Sequence, residues 1–424
     1  MKKIAFIDLL FHWPPTGGSW LDVKEIASGL KKRGFDVKLF VPLFNEYFPR
    51  GKIEGTLPFQ VTTIPFNRFT FNPYFLTKRI KKEIDVFKPN FIFLSDGYFL
   101  KPYLSNALRE YPKIFRFYAY ELICLNNKLF FDMENCENNF LANSGKCIKC
   151  QFPQDTPLKM LLKVILNHRK DEHPFNRIKL HRMQEFISSL AFSKKYPDIL
   201  KKSLKEAKAI IVYNNFLKNL LSGINRNILV VPSGVDPESF YPEEIKKEDN
   251  EKIILMVGRL AEYAKGVPVL ELAFKLLLAK RDDIKLCLTT DQYFSLFHKR
   301  FQGDKFSLIN WVNHEELASL YQKSDICVVP SVWREPFGIT ALEAMACGKP
   351  VIASKTGGLE LIVEDGKTGF LFEPGNVEEL MQKLELLLDD ENLRNKMGEE
   401  GRKRAEELFS WDNIIEKYYL PLFV

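Results

Sequence analysis

Residues 330–358 read PSVWREPFGITALEAMACGKPVIASKTGG and give the clearest indication of fold in the chain. The apolar run ICVV just before them predicts a buried strand. GITALEAMACG then has helical spacing and ends near Gly348, and VIAS predicts a second strand. A strand, a loop, a helix and another strand in close succession are typical of one βαβ unit in a parallel sheet.

The same alternation runs along most of the sequence. Apolar segments such as KIAFIDLL at 3–10 and DVKLFVPL at 36–43 alternate with segments of helical spacing, and the pattern restarts with KIILMV at 252–257. A chain of 424 residues is also too long for one ordinary core. We therefore predict an α/β protein with two Rossmann-like domains, each built on a parallel sheet.

Turn-forming residues suggest where the domains meet. Pro, Ser, Gly and Asp cluster in VPSGVDPESFYPEE at 231–244, which predicts a hinge. We place an N-terminal domain at 1–235, a C-terminal domain at 236–408, and a final helix at 409–424 that packs back on the first domain. The basic segment at about 155–206 predicts a helical insertion, which is either an elaborated hairpin or an amphipathic helix that contacts a membrane.

Composition excludes several classes of protein. Hydrophobic residues make up 46% and charged residues 27% of the chain, a balance that is globular and not disordered. No stretch reaches the roughly 18 consecutive apolar residues that span a bilayer. The apolar opening contains Asp8 and lacks a small-residue cleavage site, which favours a buried strand over a signal peptide. We expect a cytoplasmic protein, with peripheral attachment to the inner face of a membrane as the more specific hypothesis.

Charge is divided unevenly between the two halves. Residues up to Asp236 include 37 Lys and Arg against 21 Asp and Glu, whereas the rest include 24 against 33. The front half therefore carries about +16, which suggests an anionic partner. An anionic membrane surface, or a lipid-phosphate acceptor held there, fits this charge, and so does a solvated basic surface with no partner. We find no nucleic-acid-binding motif and expect no nucleic acid partner.

Two glutamates flank the start of the helix predicted after residue 337. Glu335 precedes the helix and can reach toward a sugar, and Glu343 lies two turns into it and can accept hydrogen bonds from a ribose diol. The first backbone N–H groups of a helix are unpaired and attract phosphate. Taken alone, either glutamate is better explained as a charge that stabilises the helix or lies on the surface. The backbone groups in question belong to Phe337, Gly338, Ile339 and Thr340.

This stretch closely resembles the signature of the retaining glycosyltransferases of family 4. The resemblance implies the GT-B fold, in which two Rossmann-like domains face each other across a cleft. It also implies that Glu335 contacts the donor sugar and Glu343 the ribose. The family has a Gly-Arg followed by a Lys-Gly whose cations bind the donor diphosphate, and these correspond to Arg259 and Lys265 here. The hinge and the tail FSWDNIIEKYY are also similar to those of the family.

The front half resembles the family less specifically. Gly17 and Gly18 follow the first strand, where family members have a Gly-Gly loop that faces the donor phosphates and the acceptor. Many relatives have a His-Asp at the end of a front-domain strand, close to the reacting sugar. This sequence has Tyr118 and Ala119 in those places. The histidine contact is therefore absent or supplied differently.

The resemblance implies transfer of a sugar from a nucleoside-diphosphate sugar to a glycan or lipid-linked acceptor, with UDP- and GDP-sugars first among the donors. We see no obvious nucleophile, so we expect front-face attack, which needs only positioning and charge stabilisation. The sequence has no Asp-x-Asp metal motif, and we expect catalysis without a cofactor. Two alternatives remain: a sugar-nucleotide epimerase or hydrolase, and a non-catalytic protein that binds sugar nucleotides or glycans.

Four of the seven cysteines cluster in a segment that we expect to be a loop, at 124–150. The last two form a C-x2-C pair, and four thiolates can bind zinc tetrahedrally. Some members of the family with a similar cysteine-rich insertion look alike here. A structural zinc is our preferred hypothesis, and an iron–sulfur cluster, disulfides or unligated thiols are the alternatives. The four residues are Cys124, Cys136, Cys147 and Cys150.

Overall fold

The computed structural model describes residues 1–15, 17–46, 50–131, 133–151, 180–245, 250–260, 262–290, 300–310 and 312–423. Of the helical insertion expected at about 155–206, residues up to 179 lie outside the described part. The chain divides into two compact units. The first comprises Met1–Asp132, Cys136–Val231 and Ile415–Val424, and the second comprises Met133–Asn135 and Pro232–Ile414.

The first unit is built on a seven-stranded sheet in the order β3-β2-β1-β4-β5-β8-β9, and its strands are parallel. The apolar strands of this sheet are largely buried on both faces, as a parallel sheet covered by helices requires. The strands of this sheet are β1 (Lys3–Ile7), β2 (Asp36–Leu43), β3 (Gln60–Pro65), β4 (Phe91–Leu94), β5 (Lys113–Arg116), β8 (Ala209–Val212) and β9 (Ile228–Val230). Two short strands outside this sheet, β6 (Phe130–Phe131) and β7 (Glu134–Asn135), lie between β5 and β8 in the sequence.

The helices of this unit cover the sheet with apolar stripes. Helix α1 buries Val23, Ile26 and Leu30, which recur at helical spacing, and it ends before Gly34, whose φ of 87° suits glycine. The helices up to residue 221 are α1 (Gly18–Lys32), α2 (Pro73–Phe87), α3 (Lys101–Ala107), α4 (Ser144–Gln151), α5 (Leu180–Ser188), α6 (Tyr196–Lys205) and α7 (Asn215–Leu221). The cysteine-rich segment, expected to be a loop, thus contains β6, β7 and α4.

The second unit is built on a six-stranded parallel sheet in the order β12-β11-β10-β13-β14-β15. Its core includes Ile254, Leu286 and Val328 from the central strands and Leu270 and Phe274 from the covering helix. The strands are β10 (Lys252–Met256), β11 (Ile284–Thr289), β12 (Phe306–Ile309), β13 (Ile326–Val329), β14 (Val351–Ser354) and β15 (Gly369–Phe372). The helices are α8 (Val267–Leu278), α9 (His314–Lys323), α10 (Ile339–Ala346), α11 (Leu359–Ile362), α12 (Val377–Asp389), α13 (Glu391–Phe409) and α14 (Trp411–Ile414).

The C-terminal residues pack within the first unit. A π-helical turn at Ile415–Tyr419 leads into α15 (Leu420–Phe423). Tyr419 is fully buried, and the ring of Phe423 lies 5.5 Å from that of Phe91 in β4. The Nζ atom of Lys2 donates to the carbonyl oxygen of Phe423 at 3.1 Å. These contacts add the end of the chain to the core formed by its beginning.

The predicted α/β fold of two domains with parallel sheets is confirmed. Strands and helices alternate along each unit. Among the described residues, neighbouring strands in each of the two large sheets pair in parallel. Over the described ranges, we find no helix with the length and apolar character that crossing a bilayer requires.

Candidate active site

Glu335 lies in the loop between β13 and α10, and its side chain is almost fully buried. The Nζ atom of Lys265 lies 3.0 and 2.9 Å from its two carboxylate oxygens. The Oγ of Ser331 and the Nε1 of Trp333 donate to Oε2 at 2.8 and 2.9 Å. Three side chains therefore donate to one carboxylate, which compensates the cost of burying its charge.

Lys265 reaches Glu335 because the backbone of residues 264–266 packs closely against that of residues 330–332. Lys265 ends a single 3-10 turn, and Gly266 follows it with a φ of 75°. A Cβ atom on Gly266 would lie 1.7 Å from the carbonyl oxygen of Pro330 at the end of β13, so only glycine fits. The backbone of Val332 also donates to the carbonyl oxygen of Ala264 at 2.9 Å. These contacts fix the Lys-Gly segment beside the glutamate loop.

A glycine pair supports the other side of this loop. The N–H of Gly358 donates to the carbonyl oxygen of Glu335 at 2.8 Å. A Cβ atom on Gly357 would lie 2.1 Å from the same oxygen, and one on Gly358 would lie 2.4 Å from the Cα of Phe337. The final TGG of the signature therefore permits close packing beneath the loop, a role that the sequence pattern does not reveal.

Helix α10 begins later than its sequence suggests. Its first residue is Ile339 and Gly338 is its N-cap, so Phe337, whose N–H group we expected among the unpaired groups of the helix start, precedes the cap. Gly338 has a φ of 103° and has no side chain with which to cap the helix. The N-terminus of α10, with Ile339 and Thr340 in its first turn, is thus suited to accept an external anion.

Glu343 lies in the second turn of α10 and is buried. The hydroxyl of Tyr321 donates to Oε2 at 2.8 Å, and Nε2 of His314 lies 3.0 Å from Oε1. Sequence reasoning missed both partners. The sequence feature that could have revealed His314 and Tyr321 is their spacing of seven residues on the predicted helix HEELASLYQKSD, which places both on one face. Each carboxylate oxygen keeps acceptor capacity for a further hydroxyl.

Arg259 contacts an acidic residue in the turn that follows it. Its Nη1 is 3.2 Å from Glu262 Oε1, and its side chain is half exposed. It follows Gly258, whose N–H donates to Oγ1 of Thr289 at 3.0 Å. The structure therefore brings Lys265 to Glu335, whereas the described contact of Arg259 is with the neighbouring turn.

In the first unit, Gly17 is the N-cap of α1 and Gly18 is its first residue. Gly17 has an ordinary extended conformation, with a φ of −165° and no atom within 4 Å of a Cβ built on it. His12 lies on the same loop, and its ring centroid is 3.7 Å from that of Trp20. Burial lowers the pKa of His12, so its imidazole is mainly neutral near pH 7.

Carboxylates and a tyrosine lie at the carboxyl ends of β1, β4 and β5. Burial and the neighbouring charge of Asp96 raise the pKa of Asp8 to about 7. Oδ1 of Asp8 accepts a hydrogen bond from the backbone N–H of Leu10 at 2.9 Å, and Oδ2 accepts one from the backbone N–H of Asp96 at 3.2 Å. The hydroxyl of Tyr118 is hydrogen-bonded to Oγ of Ser95 at 2.9 Å. Sequence reasoning missed both aspartates, although each follows an apolar strand closely.

The four clustered cysteines lie in the first unit, half buried, and among the described residues none of the chain's cysteines forms a disulfide. Burial and the neighbouring thiols of Cys124, Cys136 and Cys150 raise the pKa of the Cys147 thiol to about 12. The amide of Asn138 donates to Sγ of Cys147 at 2.9 Å. Within the described ranges, however, no three His, Cys, Asp or Glu side chains are arranged to hold a metal ion. Zinc binding stays a prediction.

The second unit is similar to a known family of proteins. Residues 237–404 match the family model described as Glycosyl transferases group 1. An uncharacterized glycosyltransferase of Methanocaldococcus jannaschii is 33% identical over 224 residues, which cover 51% of this chain and 56% of that protein. The chain thus spans about half the length of the curated relatives it matches. The likeness to this family therefore lies within residues 237–404, in the second unit.

Solved structures resemble the chain over its full length. Sucrose-phosphate synthase from Thermosynechococcus elongatus matches with a TM-score of 0.68 at 21% identity, covering 100% of this chain and 99% of that one. HepE of Anabaena, solved with UDP-glucose, matches with a TM-score of 0.63 at 15% identity, covering 100% and 99%. At these identities the likeness shows the fold, which is GT-B.

Proposed function

We propose that the chain is a retaining glycosyltransferase that moves a sugar from a nucleoside-diphosphate sugar to a glycan or lipid-linked acceptor. The observation that supports this most is the buried Glu335 carboxylate, hydrogen-bonded to Lys265 within the segment that matches the model of the group 1 glycosyltransferases. A carboxylate can accept hydrogen bonds from sugar hydroxyls, and an ammonium group can stabilise phosphate charge.

The donor groups would bind along α10. Its N-terminus, at Gly338, Ile339 and Thr340 just after Phe337, attracts a diphosphate through backbone N–H groups and the helix dipole. Glu343, oriented by Tyr321 and His314, would accept hydrogen bonds from the ribose. UDP-sugars come first among the donors because one protein of the same fold was solved with UDP-glucose, and GDP-sugars come next.

In the proposed reaction, the bond between the anomeric carbon and the diphosphate oxygen breaks. The acceptor oxygen bonds to the same carbon from the same face, and the acceptor proton passes to the leaving diphosphate oxygen. Lys265 and Arg259 stabilise the charge that develops on the leaving group, and Glu335 orients the sugar. Because these two cations supply the positive charge, we propose that catalysis uses no metal.

The first unit would bind the acceptor. Gly17 and Gly18 open α1 without a side chain, which would let the donor phosphates, as well as the acceptor, approach the backbone closely. Tyr118 occupies the place of the histidine in many relatives. Burial raises its pKa well above the ordinary value, so its hydroxyl stays protonated and cannot act as a base near pH 7. Because Tyr118 cannot take up the acceptor proton, we propose that the leaving phosphate oxygen accepts it.

A panel of nucleoside-diphosphate sugars tests the proposal. We expect release of the nucleoside diphosphate from one donor, at a rate that rises with a suitable acceptor and is insensitive to EDTA. Binding of a donor without turnover under any acceptor would favour a sugar-nucleotide binding protein. Conversion of the sugar without nucleotide release would favour an epimerase, and release with no glycoside product would favour a hydrolase.

A further inference from the structure

The first unit exposes three aromatic side chains within a short stretch that ends in the first turn of α2. Phe69 is 72% exposed, Tyr74 is 64% exposed and Phe75 is 37% exposed. Val86, near the other end of α2, is 75% exposed. A single exposed apolar side chain is ordinary, but a group of large ones on one element indicates a contact surface.

The aromatic side chains are presented on a well-defined backbone. Oδ1 of Asn67 accepts hydrogen bonds from the N–H groups of Phe69 and Thr70 at 3.1 and 3.0 Å, which closes a turn. Oδ1 of Asn72 caps α2 by accepting from Tyr74 and Phe75 at 3.1 and 3.2 Å. Ordered aromatic groups lose little conformational entropy when they bind a partner.

Helix α2 has two different faces. Its inward face buries Leu76, Ile80 and Ile84, which recur every four residues. Its outward face carries four exposed side chains at the same interval, namely Tyr74, Lys78, Lys82 and Val86. The helix is therefore packed through one stripe, while the opposite stripe combines apolar and cationic side chains.

Each exposed ring has a cation beside it. The guanidinium of Arg68 lies 5.0 Å from the ring of Phe69, Nζ of Lys78 lies 5.8 Å from that of Tyr74, and the guanidinium of Arg79 lies 5.9 Å from that of Phe75. Carboxylates also lie nearby: Glu46 is 3.8 Å from Arg68, Asp85 and Glu110 both contact Lys81, and Glu83 follows Lys82 on α2. With five cations, at 68, 78, 79, 81 and 82, against these four carboxylates, the face is aromatic and carries a small net positive charge.

We propose that this face, defined by Arg68, Phe69, Tyr74, Phe75, Lys78 and Lys82 and called the aromatic–basic face, docks on an anionic membrane surface. Aromatic rings favour the boundary between headgroups and acyl chains, and lysines beside them reach the lipid phosphates. A second copy of the chain fits less well, because a two-fold contact would set one positive face against another. The proposal does not depend on the glycosyltransferase activity.

Flotation of the full chain with vesicles tests it. We expect binding to phosphatidylcholine vesicles that contain about 30 mol% phosphatidylglycerol, and at least tenfold weaker binding to pure phosphatidylcholine vesicles. Raising the salt from about 0.1 M to about 0.5 M should weaken the binding severalfold. Each of two double variants, Phe69→Ala with Tyr74→Ala and Lys78→Glu with Lys82→Glu, should weaken it by about tenfold or more.

Matched variants in the second unit provide the controls. Leu272 and Leu386 are 54% and 51% exposed, and Lys396 and Lys403 are also exposed. Leu272→Ala with Leu386→Ala, and Lys396→Glu with Lys403→Glu, should leave vesicle binding within about twofold of the parent chain. Nucleotide release in solution should be unchanged in all four double variants, which separates this proposal from the proposed function.

Three results would overturn the proposal. One is the absence of binding to anionic vesicles. Another is binding that the variants of the aromatic–basic face leave intact. The third is concentration-dependent dimerisation that the Phe69→Ala, Tyr74→Ala variant abolishes while vesicles are not bound, because the face would then be an interface between copies.

Discussion

Lys265 and Glu335 form a close ion pair in the second unit, with Nζ 3.0 and 2.9 Å from the two carboxylate oxygens. The two residues are 70 positions apart in the sequence, and the positive charge of Lys265 balances the negative charge of Glu335. A bound diphosphate would attract the ammonium group, and Glu335 would then have acceptor capacity for the sugar. The pair thus links the two ends of the proposed donor.

Ser331 and Trp333 should act as positioning residues for Glu335. Ser331→Ala and Trp333→Phe each remove one hydrogen bond to the carboxylate, while Lys265 remains. We expect kcat for transfer to fall by about tenfold, since a hydrogen bond to a charged group contributes on the order of 1.5–3 kcal/mol. The KM for the donor should change by less than about threefold, because the carboxylate is misplaced but not removed.

Ser354→Ala is the matched control for Ser331→Ala. Oγ of Ser354 is buried in β14 and has no hydrogen-bond partner among the described residues. Steady-state kinetics of the three variants should therefore separate them, with Ser354→Ala near the parent rate. Equal losses in both serine variants would show a general packing effect and contradict the positioning role.

Gly357→Ala should damage the site through its backbone. The new methyl group would meet the carbonyl oxygen of Glu335 at 2.1 Å, and the φ of 60° adds strain. Gly366→Ala is a suitable control because its φ of 73° gives similar strain while no atom lies within 4 Å. Thermal denaturation should show Gly357→Ala to be less stable than Gly366→Ala, by about 1–3 kcal/mol. Equal destabilisation would mean that the loop relaxes away from residue 357.

The buried Asp8 predicts a dependence of stability on pH. Its pKa in the folded chain is raised to about 7, above the value of an unfolded aspartate. Its contribution to stability is therefore full below about pH 4 and is lost as the pH rises through about 7. In Asp8→Asn this loss is absent, so the free energy of unfolding should fall less between about pH 5 and about pH 8 than in the parent chain. Urea denaturation at several pH values measures this, and parallel curves for the two proteins would refute it.

We predict that the cysteine cluster binds zinc. Elemental analysis of the purified chain should find about one zinc per chain, and Cys147→Ser with Cys150→Ser should lose it together with part of the thermal stability. Cys287→Ser and Cys347→Ser, which alter buried thiols of the second unit, should keep the metal. Donor binding should survive in all of them. A metal-free parent chain with reactive thiols would contradict the prediction.

The sequence predicted the strands and helices that depend mainly on residues close to one another in the chain. Strand β2 occupies the expected residues 36–43, because the apolar run LFVPL at 39–43 has few alternatives in an α/β protein. Helix α13 was missed because its few apolar residues are interrupted by Gly398 and Gly401. A Cβ atom on Gly398 would lie 2.0 Å from the carbonyl oxygen of Gly348, so the glycine serves a tertiary contact that overrides helix propensity.

The candidate site shows the same division. Glu335 and Glu343 could be selected from the sequence because they flank one loop and one helix start. The contacts of His314 and Tyr321 with Glu343 depend on how α9 packs beside α10, and periodicity alone does not determine that packing. The contact of Gly266 with Pro330 likewise joins segments that are distant in sequence.

The most direct test replaces Glu335 and measures sugar transfer from the donor that the parent chain uses. Glu335→Ala should lower the rate by at least about a hundredfold, because it removes the contact to the reacting sugar. Glu360→Ala, which changes an exposed glutamate in α11, should keep the parent rate. Near-normal turnover by a folded Glu335→Ala protein would contradict the proposed role of this residue and the mechanism built on it.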